Sequence, residues 1–330
     1  MKMFYAIFLT ALAVIVTKAQ AKDNTPLQWV QTIPMPSVKG RIDHLAMDRK
    51  GERLFVAALG NNTLEILDLR LGKRIDAIER LHEPQGVMFI PEFNKIFVTN
   101  RQGGTVKIFD GDSFNLISSV KFSDDADNIR YDAATKSIYV GYGDSALGIL
   151  DATNDKRLGE ITLAGHPESF QLERLGPRIF ANIPTASHIA VIDREKRVVL
   201  ATWPVRGAQA NFPMALDETN HRLFVGFRKP AKLIVLDTES GKTVASLDSA
   251  GDPDDMFYDA ARKRVYMSCG EGFISVFEQG DADHYKTIAK IPTRPGARSS
   301  LFMSELSRLY LAVPHRAGQG AEIRVYEARP

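Results

Sequence analysis

The sequence predicts an all-β fold, a seven-bladed β-propeller of four-stranded blades, and three observations carry that prediction. The phrase at residues 53 to 69, RLFVAALGNNTLEILDL, returns six more times along the chain. Its aromatic anchors, Phe55, Phe97, Tyr139, Phe180, Phe224, Tyr266 and Tyr310, recur every 41 to 44 residues. A fixed period of that length marks a repeat architecture in which each unit is one supersecondary element. The last copy lacks a fourth strand, and a segment near the N-terminus matches what it lacks.

In chain order, residues 1–21 read as a secretory signal peptide outside the fold. Lys2 supplies a positive start, Phe4 to Val16 is an apolar run, and Ala19-Gln20-Ala21 fits a small-residue cleavage site. The run falls short of the roughly 20 apolar residues a membrane-spanning helix needs. A periplasmic or secreted location and no stable membrane insertion after cleavage are therefore expected, with an uncleaved anchor as the alternative. Losing Lys2 and Lys18 takes Lys plus Arg from 42 to 40, against 40 Asp plus Glu. The processed chain is near neutral, and no Lys/Arg run supplies the basic face that a nucleic-acid partner needs. The single cysteine, Cys269, permits no internal disulfide. Residues 22–330 are expected to form one propeller domain and a monomer.

Next comes Leu27 to Pro36 (LQWVQTIPMP). It resembles Tyr285 to Thr293 (YKTIAKIPT), the outer strand of the sixth repeat. It is therefore expected to complete the last blade and close the ring, which removes open strand edges. A solenoid, the competing architecture, has no need of complementary termini. The first repeat then shows the plan of all seven. Asp43 to Asp48 is strand A, Lys50-Gly51-Glu52 a turn, and Leu54 to Ala58 strand B. Asn61-Asn62 turns the chain into strand C, Thr63 to Leu69, and Gly72 turns it into a more polar strand D, Arg74 to Leu81. Short apolar and alternating runs bounded by Gly, Asn and Asp at this spacing are strand signals. The blades are expected near 40–81, 82–123, 124–165, 166–207, 208–251, 252–296 and 297–330 plus 27–36.

The phrases Ile96-Phe97-Val98-Thr99-Asn100 and Ile138-Tyr139-Val140 resemble the YVTN repeat, named for its Tyr-Val-Thr-Asn core. Through all seven repeats the chain is similar to the YncE-like, YVTN-type seven-bladed propellers of secreted bacterial proteins. The resemblance implies the fold; it implies little about function, because function resides in sites grafted on folds.

In such a ring, strand A starts and B-to-C loops meet at one mouth of the central channel. The strand A starts bring Asp43, His44, Gln85, Asp127, Asn128, Glu168, Asn211, Asp254, Asp255 and Arg298 there. The loops bring Asn100, Arg101, Tyr142, Asn182, Arg228, His315 and Arg316, with His82 and His166 on connections entering strands A. The strand B aromatic is kept in every copy, whereas the strand A start stays polar but changes from blade to blade. That pattern suits a position free to serve a ligand; a ring of solvated polar caps is the alternative.

Two chemistries fit this ring. Asp43, Asp127, Glu168 and Asp254, with Asn211, offer the hard oxygen ligands that suit Ca²⁺, Mg²⁺ or Mn²⁺. By analogy with gluconolactonase-type lactonases, which are six-bladed, a metal there implies hydrolysis. Arg101, Arg228, Arg298 and Arg316 instead suit carboxylates or phosphates. His44, His82, His166 and His315 show no short ligand spacing, and no Gly-x-Ser-x-Gly elbow or phosphate-binding glycine loop is present. Cys269 closes strand B of the sixth repeat without the marks of a nucleophile. The favoured expectation is a binding or scaffold protein for a small molecule or periplasmic partner protein at the channel mouth. The alternative is a divalent-metal-dependent, lactonase-like hydrolase.

Overall fold

A computed structural model describes the first residue and residues 25–330. The expected signal segment lies almost wholly outside the described residues. Seven sheets of four antiparallel strands stand in a ring. In the first sheet β2 (Leu45–Asp48), β3 (Arg53–Ala58), β4 (Thr63–Asp68) and β5 (Lys73–Ile78) lie side by side in sequence order. The next five sheets repeat this order through β25 (Tyr285–Pro292). Among the described residues no helix is long and apolar enough to cross a membrane.

The seventh sheet closes the ring as the sequence predicts. β26 (Ser300–Met303), β27 (Arg308–Val313) and β28 (Ala321–Ala328) are joined by β1 (Leu27–Met35). β1 runs antiparallel to β28, from Leu27 opposite Ala328 to Met35 opposite Ala321. Trp29, Val30 and Gln31 are exposed while Leu27, Ile33 and Met35 are buried.

The core is divided into seven clusters, each lying between two blades. Phe55 packs with Val87, Ile96 and Val98 of the second blade. Phe97 packs with Ile138 and Val140 of the third, and Tyr139 with Phe170 and Ile179 of the fourth. The pattern continues round to Tyr310, which meets Leu45, Leu54 and Val56 of the first blade. All seven anchors are 5 % exposed or less, so the repeated aromatic is the wedge that sets the angle between neighbours. Strand alternation explains how one sheet serves two interfaces: successive side chains point to opposite faces.

Two irregularities recur. Strand C slips against strand D by a bulge in every blade, between Ile66 and Leu67 in the first and Ile108 and Phe109 in the second. A bulge there raises the local twist. The acids that end strand C cap the following turn. Asp110 accepts the Asp112 and Ser113 amides, and Asp237 those of Glu239 and Ser240. These hydrogen bonds hold both carboxyls below the ordinary range. The closing acid of the first five phrases is thus a turn staple, whereas Glu278 and Glu327 pair with Lys286 and Arg308.

Candidate functional site

The channel mouth is built by strand A starts that leave the regular ladder. In blade one the expected strand A shortens to Leu45–Asp48, because His44 turns its amide to the Gln85 carbonyl of the next blade, 3.2 Å away. Register shifts interrupt the same place in other blades, between Pro84 and Val87, Asn211 and Met214, and Pro253 and Asp255. Neighbouring blades are stitched here by Thr99, whose hydroxyl donates to the Asp127 carbonyl at 2.7 Å and accepts the Gly86 amide at 2.6 Å. Gly86 is required by this approach, since a Cβ on it would stand 2.4 Å from the Asp127 carbonyl oxygen.

These turns bring Asp43, His44, Asp127, Asn128, Glu168 and Asp254 around a space of about 20 Å³, together with Arg41, Ser169 and Phe212. That is little more than the room one water needs. Acids and bases alternate through it. Arg41 donates to Asp43 at 2.7 Å, Arg228 to Asp254 at 2.5 Å, and Arg298 reaches Asp254 at 3.0 Å and Asp252 at 2.8 Å. Arg228 also lies over the Phe212 ring, 3.5 Å from its centre. The His44 ring sits among Asp255 at 3.5 Å and Asp43 and Asp127 at 3.9 Å. His166 stands 3.8 Å from Asp127 and donates from Nδ1 to the Gly143 carbonyl.

The electrostatics follow from that crowding. Burial alone would lower the His44 pKa, but Asp255, Asp43 and Asp127 overcome it and raise it to about 10. His166 is raised to about 9 against the same desolvation, by Asp127 and the Gly143 carbonyl. Both rings are therefore cations at neutral pH. Desolvation, then the charge of Asp127, pushes Glu168 up to about 8; desolvation likewise takes Asp254 to about 6 and raises Asp43. Burial would raise Asp127 too, yet His166, His44 and Arg41 hold it below the ordinary value. Among the described residues no group of three or more His, Cys, Asp or Glu is placed to hold a metal ion.

Several expected members do not join this cluster. Tyr142 is buried between blades two and three, stacked on Phe122, with its hydroxyl bound to Glu160 and Arg157. Period two explains this, since Tyr142 shares the face of Ile138 and Val140. Asn211 is also spent on structure, donating to the Asn182 side chain at 2.9 Å and the His188 carbonyl at 3.1 Å. Asn100, fully buried, accepts the His82 amide at 3.1 Å. The buried Gln85 and the exposed Arg101 both address Asp125.

His315 and Arg316 occupy a separate groove on the mouth side, lined also by Gly40, Arg41, Asp252, Gly296, Arg298 and Pro314, with a volume of about 360 Å³. Among the described residues Arg316 has no carboxylate partner; its Nε donates to the Pro295 carbonyl at 3.3 Å. Arg41 and Asp252 were not singled out by the sequence reading, although each stands within two residues of an expected acid. Arg130 stands in the body of strand A, beyond the strand starts to which the sequence assigns the mouth.

No family model and no curated protein matches the sequence. Solved structures match its shape widely, 1817 chains in all, so the shape alone does not discriminate function. One is similar over 87 % of this chain and 97 % of its own, with a TM-score of 0.76 and 17 % identity: hydrazine synthase of Kuenenia stuttgartiensis. Another, from a crystal structure of the mitotic checkpoint complex, covers 98 % of this chain and 99 % of its own, with a TM-score of 0.77 and 11 % identity. At such identities the likeness establishes the seven-bladed β-propeller fold and nothing finer.

Proposed function

We propose that this chain is a YVTN-type, YncE-like propeller of the periplasm or exterior that binds a small anionic molecule on its mouth face. The observation that carries this reading is the division of labour among the arginines. Arg228 and Arg298 are each paired with Asp252 and Asp254. Arg316 has no carboxylate partner among the described residues, and it shares with His315 and the partly exposed Arg41 a groove large enough for a small ligand. A guanidinium fork with free donors matches a carboxylate or phosphate. Inorganic phosphate and citrate should raise the melting temperature in a concentration-dependent way. Arg316→Ala should abolish that response without altering the melting temperature of the free protein. A native protein indifferent to both anions defeats the proposal.

The competing reading places Ca²⁺, Mg²⁺ or Mn²⁺ among Asp43, Asp127, Glu168 and Asp254, with lactone hydrolysis to follow. Arginine and histidine already counter Asp43, Asp127 and Asp254, which favours the anion reading. Melting the protein with EDTA and then with each ion separates the two. A metal-dependent rise that Asp127→Ala with Glu168→Ala abolishes would reverse the preference.

A further inference from the structure

On the far side of the charged cluster the channel opens into a second space. It has a volume of about 380 Å³ and is lined by all seven blades. Its wall comes from the later residues of the A strands. Five of the chain's nine methionines stand there, Met47, Met88, Met214, Met256 and Met303, one from each of five blades. Thioether side chains are flexible and polarisable, and they adapt to apolar ligands of irregular shape. Met47, Met88 and Met303 are only half-buried although they lie on innermost strands, so they border open space.

One cation is built into this wall. Arg130 is partly buried on the cavity wall, across the Phe170 ring at 5.5 Å, and desolvation pulls its pKa below the ordinary arginine value. Its one hydrogen bond runs from Nη1 to the Ile129 carbonyl, 2.8 Å away. Among the described residues no carboxylate lies within ion-pair distance of it. Asp255 and Asp127 act on it only through space. Asp255 is itself engaged, by the His44 ring at 3.5 Å and the Ser300 amide at 2.8 Å. Most of the five donors of this guanidinium make no bond to protein and face the cavity, where an acceptor can take them.

We infer that the channel is a second binding site, one that takes a small organic carboxylate with an apolar body. The carboxylate accepts from Arg130, and the body lies against the methionines. The cavity falls within the roughly 300–1,000 Å³ typical of small-molecule pockets, and a largely apolar wall with a few polar groups, here Arg130 with Gln171, His44 and the engaged Asp255, is their usual chemistry. This site is separate from the mouth groove, because the His44 cluster closes the channel between them.

Octanoate, octanol and octylamine serve as matched probes. Octanoate should raise the melting temperature and bind by calorimetry at least about tenfold tighter than octanol, a difference of about 1.4 kcal/mol. It should also slow peroxide oxidation of Met47, Met88 and Met303, read by peptide mass spectrometry. Octylamine should do neither. Arg130→Gln should lose about tenfold or more of the octanoate affinity, whereas Arg316→Ala should leave it unchanged. Equal binding of octanol and octanoate overturns the role of Arg130 even if Arg130→Gln fails to fold. Octanoate binding without methionine protection, or binding lost in Arg316→Ala, places the ligand in the mouth groove and overturns the channel site.

Discussion

The two ends of the central channel are made by the same seven strands, yet they differ in kind. At the strand A starts, acids and bases fill the axis until about 20 Å³ remains. A few residues further along, thioethers and aliphatic groups leave about 380 Å³ open. The difference lies in what each side chain can tolerate. A buried charge must meet its counter-charge at close range, so the polar end contracts around ion pairs. Methionine makes no such demand, and a ring of seven strands is too wide for its side chains to fill. Residues with capacity left for a partner are therefore found beside the cluster, at Arg316, and beyond it, at Arg130.

Four changes break or sharpen this contrast. The largest effect should come from deleting residues 22–38. Removing β1 strips Ile33 and Met35 from the cluster around Tyr310 and leaves the outer edge of β28 unpaired. Cooperative melting by circular dichroism should be lost or moved far down in temperature. A truncated chain that melts like the full one would show that closure contributes nothing. His44→Leu comes next, because it leaves three carboxylates without their shared cation. Breaking a buried pair costs about 3–5 kcal/mol, to be read from the denaturant midpoint.

The third change is in pH. The folded-state pKa of His44, about 10, and that of His166, about 9, lie above the unfolded value near 6.5. Their stabilisation is complete below pH 6.5 and is lost as pH rises through 9 and 10. Glu168, at about 8, works in the same direction, because ionising it in the fold is unfavourable. The native state binds more protons than the unfolded one throughout this window, so stability must fall as pH rises. A melting temperature that holds steady from pH 7 to 10 contradicts the cluster, and His44→Leu should flatten the slope. The smallest effect belongs to the methionine end. Met88→Leu conserves volume on an adaptable wall and should cost less than about 1.5 kcal/mol by denaturant titration.

The sequence carried the ring well and the site only in part. Phe55 and its six counterparts announced the blade interfaces because a wedge must recur wherever the geometry recurs. Leu27 to Pro36 announced the closing strand because it copies the strand it replaces. The polar positions Asp43, His44, Asp127, Glu168 and Asp254 were readable as strand starts, and they do converge. What the sequence hid was pairing. Nothing in the spacing says that Arg228 and Arg298 meet Asp254 while Arg316 meets no acid, since those partners come from separate blades. Tyr142 was placed at the mouth by position, whereas the two-residue alternation of its strand already turned it toward Phe122. Arg130 was readable in the same way, as a charge on an innermost strand.

The pairing of β1 with β28 has a consequence for how the molecule comes to exist. Leu27 and Ala328 are neighbours in space but lie near opposite ends of the sequence. During synthesis six blades can be complete while the first strand still waits for a partner made last. Contacts this distant along the chain form slowly, since loop closure precedes their reward. Until β1 docks on it, β28 has an open edge and the Tyr310 cluster lacks one wall, the features by which unfinished chains associate with one another. The seam is therefore where a chaperone would act, and where two nascent molecules would exchange strands.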